Sequence, residues 1–323
     1  MKPMVSICCA TYNHEKFIAK TLDSFLSQQG NYDIEILIHD DASTDDTASI
    51  IKEYQLRFPD IIKPIFQEEN QYQLGVAIDP TFNYPRAQGK YIALCEGDDW
   101  WTDLHKLEKQ VSIMEKNPEA TFLFTNANVE TLGKDVPIRD FFPYKETDKK
   151  LGLDKARRFN LGEMCKINFA PTASFFFPQK ILQSFPDTYH NHYCAHGDLK
   201  LRMFATATGY AIYLPDKTCT YRENVPQSAM QIWSLESADR VSERAKTVKD
   251  MLKDVDIYTK QKYHKDINEF RDWFAFVMLL NATSVDVLED SDALRIYKQL
   301  PLSKRIRFRL KKFLLSVKSK KKI

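Results

Sequence analysis

Between residues 4 and 128, short apolar runs alternate with segments whose apolar residues recur at helical spacing, and this alternation limits the fold more than any other feature of the chain. "MVSICCA" (4–10) is followed by a stripe of Ile18, Leu22, Phe25 and Leu26, and "DIEILIH" (33–39) by Ile50, Ile51, Tyr54 and Phe58. "IIKPIF" (61–66) leads into a polar loop containing Gly75, and "KYIALC" (90–95) precedes a stripe of Leu104, Leu107, Val111 and Met114 that stops at Pro118. The next run is "ATFLFTNANV" (120–129). Strand–helix alternation of this kind predicts a largely parallel sheet with right-handed crossovers, whose ligands lie beyond the carboxyl ends of the strands.

The polar residues fall at those ends. Tyr12 and Asn13 follow the first run, Asp40 and Asp41 the second, and "LCEGDDW" (94–100) drives the fourth into Glu96, Asp98 and Asp99. Each set alone would serve to cap the following helix, and Ser43 with Asp46 fits a capping box. Three polar strand ends on one rim, two of them acid-rich, point instead to a nucleotide or metal site, because clustered carboxylates repel unless a cation or proton relieves them. With nine glycines and neither GxGxxG nor GxxxxGK, the chain lacks the usual phosphate cradles. Carboxylates with a hard divalent cation, Mg²⁺ or Mn²⁺, would hold phosphates in their place.

"VSICCATYNHEKFIAKTLDSFLSQ", "EILIHDDASTDDT" and "GKYIALCEGDDWW", taken in order, resemble the inverting glycosyltransferases of family 2, of the kind that builds bacterial surface polysaccharide. The resemblance implies an α/β, GT-A (Rossmann-like) fold, a mostly parallel sheet flanked by helices, with a nucleoside-diphosphate sugar as donor. It implies donor-nucleotide contacts from Ala10, Tyr12, Asn13, Asp40 and Asp41, with Asp41 accepting a base N–H and Asp40 beside it. "GDD" is similar to the family's DxD-type motif, which assigns Asp99 to the metal and Asp98 to the donor sugar or ribose. Glu96 is left as a supporting or solvated acid. Arg222, in "TYRENV", is a candidate for the diphosphate on a mobile loop. Trp100 and Trp101 either wall the sugar or acceptor pocket or pack in the core.

Inverting transfer needs a base for the acceptor hydroxyl. In the resembling family it opens a helix about a hundred residues after the metal motif, which here selects Asp198 in "CAHGDLKLRMF", with Gly197 where the family often has an acid and His196 as a possible helper in the acceptor pocket. Helix capping by Asp198 is the plain alternative. A zinc cluster of His190, His192, Cys194, His196 and Asp198 is a rival. "APTASFFFP" (170–178) reads as a buried strand in the acceptor half. "QIWSL" (231–235) does not match the QxxRW of processive relatives, so transfer of a single sugar is expected, with a UDP-sugar as the expected donor.

The expected organisation is a GT-A domain at 1–225, with a nucleotide-binding half at about 4–128 and an acceptor half at about 129–225. A helical annex at 226–301, rich in apolar residues such as Phe270, Trp273, Phe274, Val277 and Met278, and a basic amphipathic tail helix at 302–323 follow. Residues 304–323 hold ten lysines and arginines and no acid; removing those ten from the net +2 leaves −8 for the rest. Wound as a helix, the tail puts Leu302, Ile306, Leu310, Phe313 and Val317 in one stripe, which fits an anionic membrane surface, or docking on the annex. The acidic remainder offers no nucleic-acid footprint. Six scattered cysteines without a CxxC pair, no spanning apolar run and no signal-peptide pattern are expected of a cytoplasmic enzyme held peripherally at the inner membrane face. Its acceptor would be a glycan or lipid-linked glycan. Two other classes compete: a glycoside hydrolase working with two carboxylates, and a non-catalytic nucleotide-sugar-binding subunit of a glycan assembly complex.

Overall fold

The first strand shows why the opening runs are continuous rather than alternating: in β1 (Val5–Thr11), Val5, Ile7, Cys8 and Cys9 are all buried, so both sheet faces are covered. In this computed structural model, β1 pairs in parallel with β2 (Ile34–Asp40) and β4 (Tyr91–Leu94), and β2 with β3 (Ile62–Phe66). The crossovers are α1 (Ile18–Leu26), which buries Ile18, Leu22 and Phe25 completely, and α2 (Thr47–Arg57). Between β3 and β4 the chain crosses over through a π-helical turn (Asp79–Asn83) and a 3₁₀ turn (Tyr84–Arg86). The structure describes residues 5–143, 149–234, 238–281, 294–295, 297–298, 302, 305–306 and 308–310.

The chain continues through β5 (Trp100–Trp101), α3 (Lys106–Lys116), β6 (Ala120–Thr131), β7 (Arg139–Asp140), β8 (Arg157–Phe159) and α4 (Leu161–Met164). It then forms β9 (Phe176–Pro178), α5 (Asp187–Asn191), α6 (Gly197–Ala207) and β10 (Tyr210–Glu223). The sheet order is β3-β2-β1-β4-β9-β6-β10-β5, with β7 beside β6 and β8 beside β10. β10 runs parallel to β6, and β9 is antiparallel to both β4 and β6, a reversed seam between the two parallel sets. The single strand expected over 170–178 is shorter: Thr172–Ser174 is a 3₁₀ turn and only Phe176–Pro178 pairs, although Phe175, Phe176 and Phe177 are all fully buried. Apolar content fixed the burial there, and the seam position between β4 and β6 fixed the length.

The chain divides into two compact units, 1–225 and 226–323. In the second, α7 (Ala229–Ser234) precedes α8 (Ala238–Tyr258) and α9 (His264–Asn281). Val241, Ala245, Val248, Met251, Leu252 and Val255 form the buried stripe of α8, and Ile267 and Phe270 that of α9. The Met278 side chain, Phe313 and Val317 lie outside the described residues. Among those described, no helix is long and apolar enough to cross a membrane. No disulfide joins the six cysteines, all of which are buried.

Candidate active site

Backbone bonding draws three strand ends together. Asp41 N–H donates to Thr11 O (2.9 Å), Cys95 N–H to Cys8 O (3.2 Å) and Gly97 N–H to Ala10 O (2.9 Å), so the chain leaving β4 runs beside the end of β1. The approach requires glycine at 97, where a Cβ would lie 2.4 Å from Thr11 Oγ1. The turn from Glu96 to Asp99 then closes through Asp99 N–H to Glu96 O (3.1 Å) and is pinned by Thr21 Oγ1, which donates to Asp99 O (2.6 Å).

Asp99 is 1% exposed. Its Oδ1 accepts the Arg222 backbone N–H at 2.8 Å, while Oδ2 is buried with no hydrogen-bond partner. Oxygens of Glu96, Asp98 and Asp99 lie within 4.8 Å of one another, and no other such metal-holding group occurs among the described residues. Burial, then Asp98 and Glu96, push the Asp99 carboxyl well above the carboxylate range against the pull of Arg222. Glu96 keeps an open surface at the cleft mouth. Loss of solvent around its carboxyl, then Asp98, Asp198 and Asp79, push it up to about 8. An orphaned buried oxygen in a set of hard oxygen donors fits a divalent cation such as Mg²⁺ or Mn²⁺. The zinc rival is overturned: His190, His192, Cys194, His196 and Asp198 do not gather into a metal group, and His190 and His192 are exposed.

The rim after β2 is built differently. Asp41, 4% exposed, accepts Gln71 N–H (2.8 Å) on one oxygen and Tyr72 N–H (3.0 Å) on the other, with His39 Nε2 at 3.2 Å. Burial works to raise it, but the His39 contact and the two amides prevail and hold it below the usual range. Asp40 accepts from the Ser43 hydroxyl and amide, and burial nonetheless raises it. Ser43 is thereby committed to Asp40, and the expected Ser43–Asp46 capping box does not form. Asp46 makes no side-chain cap, and Asp45 Oδ1 accepts the Thr47 N–H instead (3.0 Å). Asn13, at φ 54°, ties the β1 end to this loop by donating its N–H to Ser43 Oγ (2.9 Å) and accepting Thr44 N–H (2.8 Å). Ala10 and Tyr12 are half-buried beside it.

Arg222 is not on a mobile loop. It lies near the end of β10, 7% exposed, with Nε on Glu130 (3.1 Å), an N–H donated to Asp98 O, and its guanidinium 4.0 Å from the Trp100 ring centre. It buttresses the acid turn. Trp101 does not wall the pocket: 4% exposed, it donates its indole N–H to Ala173 O (2.9 Å) and packs 4.6 Å from Phe25, because β5 pairing turns it into the core. Trp100 is half-buried, with Lys20 Nζ 3.5 Å from its ring centre.

Asp198 sits in the first turn of α6, half-buried, with His196 at the N-cap. Burial raises its carboxyl, against the pull of Arg202 and the first-turn amides. Arg202, one turn on and 1% exposed, donates to Asn168 O (2.9 Å), and burial lowers it to about 10. Asp198 adds to the upward push on Glu96, after burial and Asp98, so its charge is felt at the acid turn. Three neighbours escaped the motif reading: His14, whose Nε2 lies 3.8 Å from Asp98; Asp79, bonded to Asn83 (2.7 Å); and Tyr221, beside Arg222. His14 directly follows Asn13 and Tyr221 directly precedes Arg222, so both were within reach of the motifs; Asp79 is brought in only by folding.

This chain belongs to glycosyl transferase family 2, whose family profile matches residues 6–177. It is 43% identical over 120 residues to an uncharacterized protein of Mycobacterium tuberculosis, covering 37% of this chain and 34% of that one. It is 36% identical over 139 residues to an Escherichia coli protein named UDP-Glc:alpha-D-GlcNAc-diphosphoundecaprenol beta-1,3-glucosyltransferase, covering 43% of this chain and 51% of that one. The chain thus spans between a third and half of the length of these relatives. Its fold is that of the GT-A enzymes. S. aureus TarS in complex with UDP-GlcNAc matches at TM-score 0.60 and 16% identity, covering 95% of this chain and 79% of TarS. A Pyrobaculum calidifontis mannosyltransferase in complex with GDP-Man and Mn²⁺ matches at 0.55 and 17%, covering 98% and 85%.

Proposed function

We propose that this chain transfers a single sugar from a nucleoside-diphosphate sugar, expected to be a UDP-sugar, to a hydroxyl of a glycan or lipid-linked glycan, with inversion. The carrying observation is the orphaned Asp99 Oδ2 beside Asp98 and Glu96 at the carboxyl ends of parallel strands. Asp99, with Asp98 and Glu96 in reach, would hold a divalent cation, which would supply positive charge against the leaving diphosphate. Asp198 takes the acceptor hydroxyl proton as the oxygen attacks the anomeric carbon; the bond to the diphosphate breaks and its electron pair leaves with the diphosphate oxygen. Desolvation of Asp198 suits a base, since it lifts proton affinity toward the working pH. Asp40 and Asp41 shape the nucleotide end of the rim together with Ala10, Tyr12 and Asn13, and Arg222 holds the acid turn against β10. The UDP-GlcNAc and GDP-Man complexes of the structural neighbours and the name of the E. coli relative support this substrate class.

Thermal shifts with UDP, dTDP, GDP, ADP and CMP, each with Mn²⁺ or EDTA, test the donor site; a ligand at 100 times its Kd stabilises by about 2.7 kcal/mol. A metal-dependent shift for one base that Asp99→Ala abolishes is expected. No shift with any nucleotide or intact donor sugar would refute the donor site. Nucleotide binding without turnover on any acceptor would favour the non-catalytic subunit.

The same reading places the enzyme on an anionic lipid surface at the cytoplasmic face. Leu302, Ile306 and Leu310 are helical and 65%, 50% and 58% exposed, whereas Phe308, 4% exposed, packs 5.3 Å from Tyr297. An outward apolar stripe in a segment with ten cations suits an anionic bilayer. Co-sedimentation with phosphatidylglycerol vesicles should be lost on replacing Leu302, Ile306 and Leu310 by serine; unchanged binding would refute it.

A further inference from the structure

We propose that Phe169 and Tyr221 form the acceptor subsite, an aromatic platform that takes the C–H face of a pyranose whose hydroxyl is presented to Asp198. The inference deepens the transferase reading and rests on it. Three rings make a triangle: Phe141 to Phe169 at 5.3 Å, Phe169 to Tyr221 at 5.6 Å and Phe141 to Tyr221 at 5.8 Å between centroids. Its floor is fixed. Phe141 is 8% exposed and donates its N–H to Ala127 O (2.8 Å), and Phe142 beside it, 3% exposed, is clamped through its N–H and carbonyl by the Asn126 side chain at 2.9 Å. Its top is open: Phe169 is 37% exposed, in contrast to the fully buried Phe175, Phe176 and Phe177 that follow it.

The platform is tied on one side to the acid turn and on the other to the proposed base. Tyr221 directly precedes Arg222, whose N–H binds Asp99 Oδ1, and its hydroxyl is held up by burial and then by Asp99, Glu96 and Asp98. Asn168 directly precedes Phe169, and its carbonyl accepts from Arg202, the buried cation one turn beyond Asp198. An open aromatic face joined to both groups is unsuited to a diphosphate, which the acid turn and its cation would take. It suits the apolar face of a sugar ring, with hydroxyls directed outward to polar groups.

Saturation-transfer NMR and kinetics with a panel of methyl α- and β-pyranosides, with and without donor, test this on the full chain. Phe169→Ala should raise the acceptor KM, or the Kd for the best methyl pyranoside, about tenfold, while the metal-dependent UDP shift and donor hydrolysis stay within twofold. Phe169→Tyr should restore wild-type values, a rescue that loop collapse would not show. An unchanged acceptor constant in Phe169→Ala, or no pyranoside bound by wild-type protein that does bind and hydrolyse donor, overturns the platform. Absence of donor binding and hydrolysis in the wild type overturns the transferase reading instead.

Discussion

Asp41 and Asp99 occupy equivalent places, each just past the carboxyl end of a parallel strand and each almost without solvent contact, yet they are opposite kinds of acid. Both oxygens of Asp41 are committed, to the amides of Gln71 and Tyr72, and its carboxyl is held low. Asp99 has one committed oxygen and one orphan, with like charges beside it, and is held high. A buried acid saturated by amides anchors a loop. One left open beside other acids is a place to receive a cation.

The largest effect should come from making the two exchange roles. Asp99→Asn keeps an acceptor for Arg222 N–H but removes a ligand, so turnover should fall about 10³-fold as metal-dependent stabilisation disappears. Metal-free stability should change far less than in Asp41→Asn, because burial and the neighbouring acids already keep a proton on Asp99 and Asn replaces one neutral group by another. Asp41→Asn sets an amide NH₂ against a backbone donor and should cost about 1–3 kcal/mol in urea unfolding, with metal-dependent nucleotide binding retained in the folded fraction. Equal stability effects of the same sign would end the contrast.

The pH dependence of the two rims should differ in sign. Asp41, low in the folded state, contributes stability that is present above its unfolded pKa and is lost as pH falls through the folded one. Glu96, raised to about 8, keeps its proton longer folded than unfolded, so the metal-free protein should lose stability as pH rises from about 4.5 to 8. Solvent at the cleft mouth moderates the size, and Mn²⁺ should reverse the trend by replacing the proton. A melting temperature that rises over that range without metal would contradict the assignment. The smallest effect lies at the α2 cap: Asp45→Ala should cost about 1 kcal/mol and Asp46→Ala less than about 0.5 kcal/mol, measured by chemical unfolding.

Much of this was legible along the chain. The alternating runs and stripes foretold β1, β2, β3 and β4 in parallel, and the acids after the fourth run foretold the cluster of Glu96, Asp98 and Asp99. The "EGDD" turn was found because its three acids fall within four residues. The Ser43–Asp46 box was misread because the Asp40 carboxylate takes both the Ser43 amide and its hydroxyl, and composition does not show that this partner wins.

Local order determines periodicity, burial pattern and strand-end chemistry, because those depend on neighbours within a few residues, and to that extent the sequence alone determined the parallel strands β1 to β4 and the acids at their ends. What each acid and ring does depends on partners far along the chain. Arg222 meets Asp99 across 123 residues, Gln71 meets Asp41 across 30, and Phe169, in the loop after α4, meets Tyr221 of β10. Trp100 and Trp101, adjacent in sequence, were sent to a cation-flanked surface and to the core by the pairing of β5 with β10. Only the tertiary structure decided those roles, since a buried polar group takes its character from whichever partner long-range packing delivers.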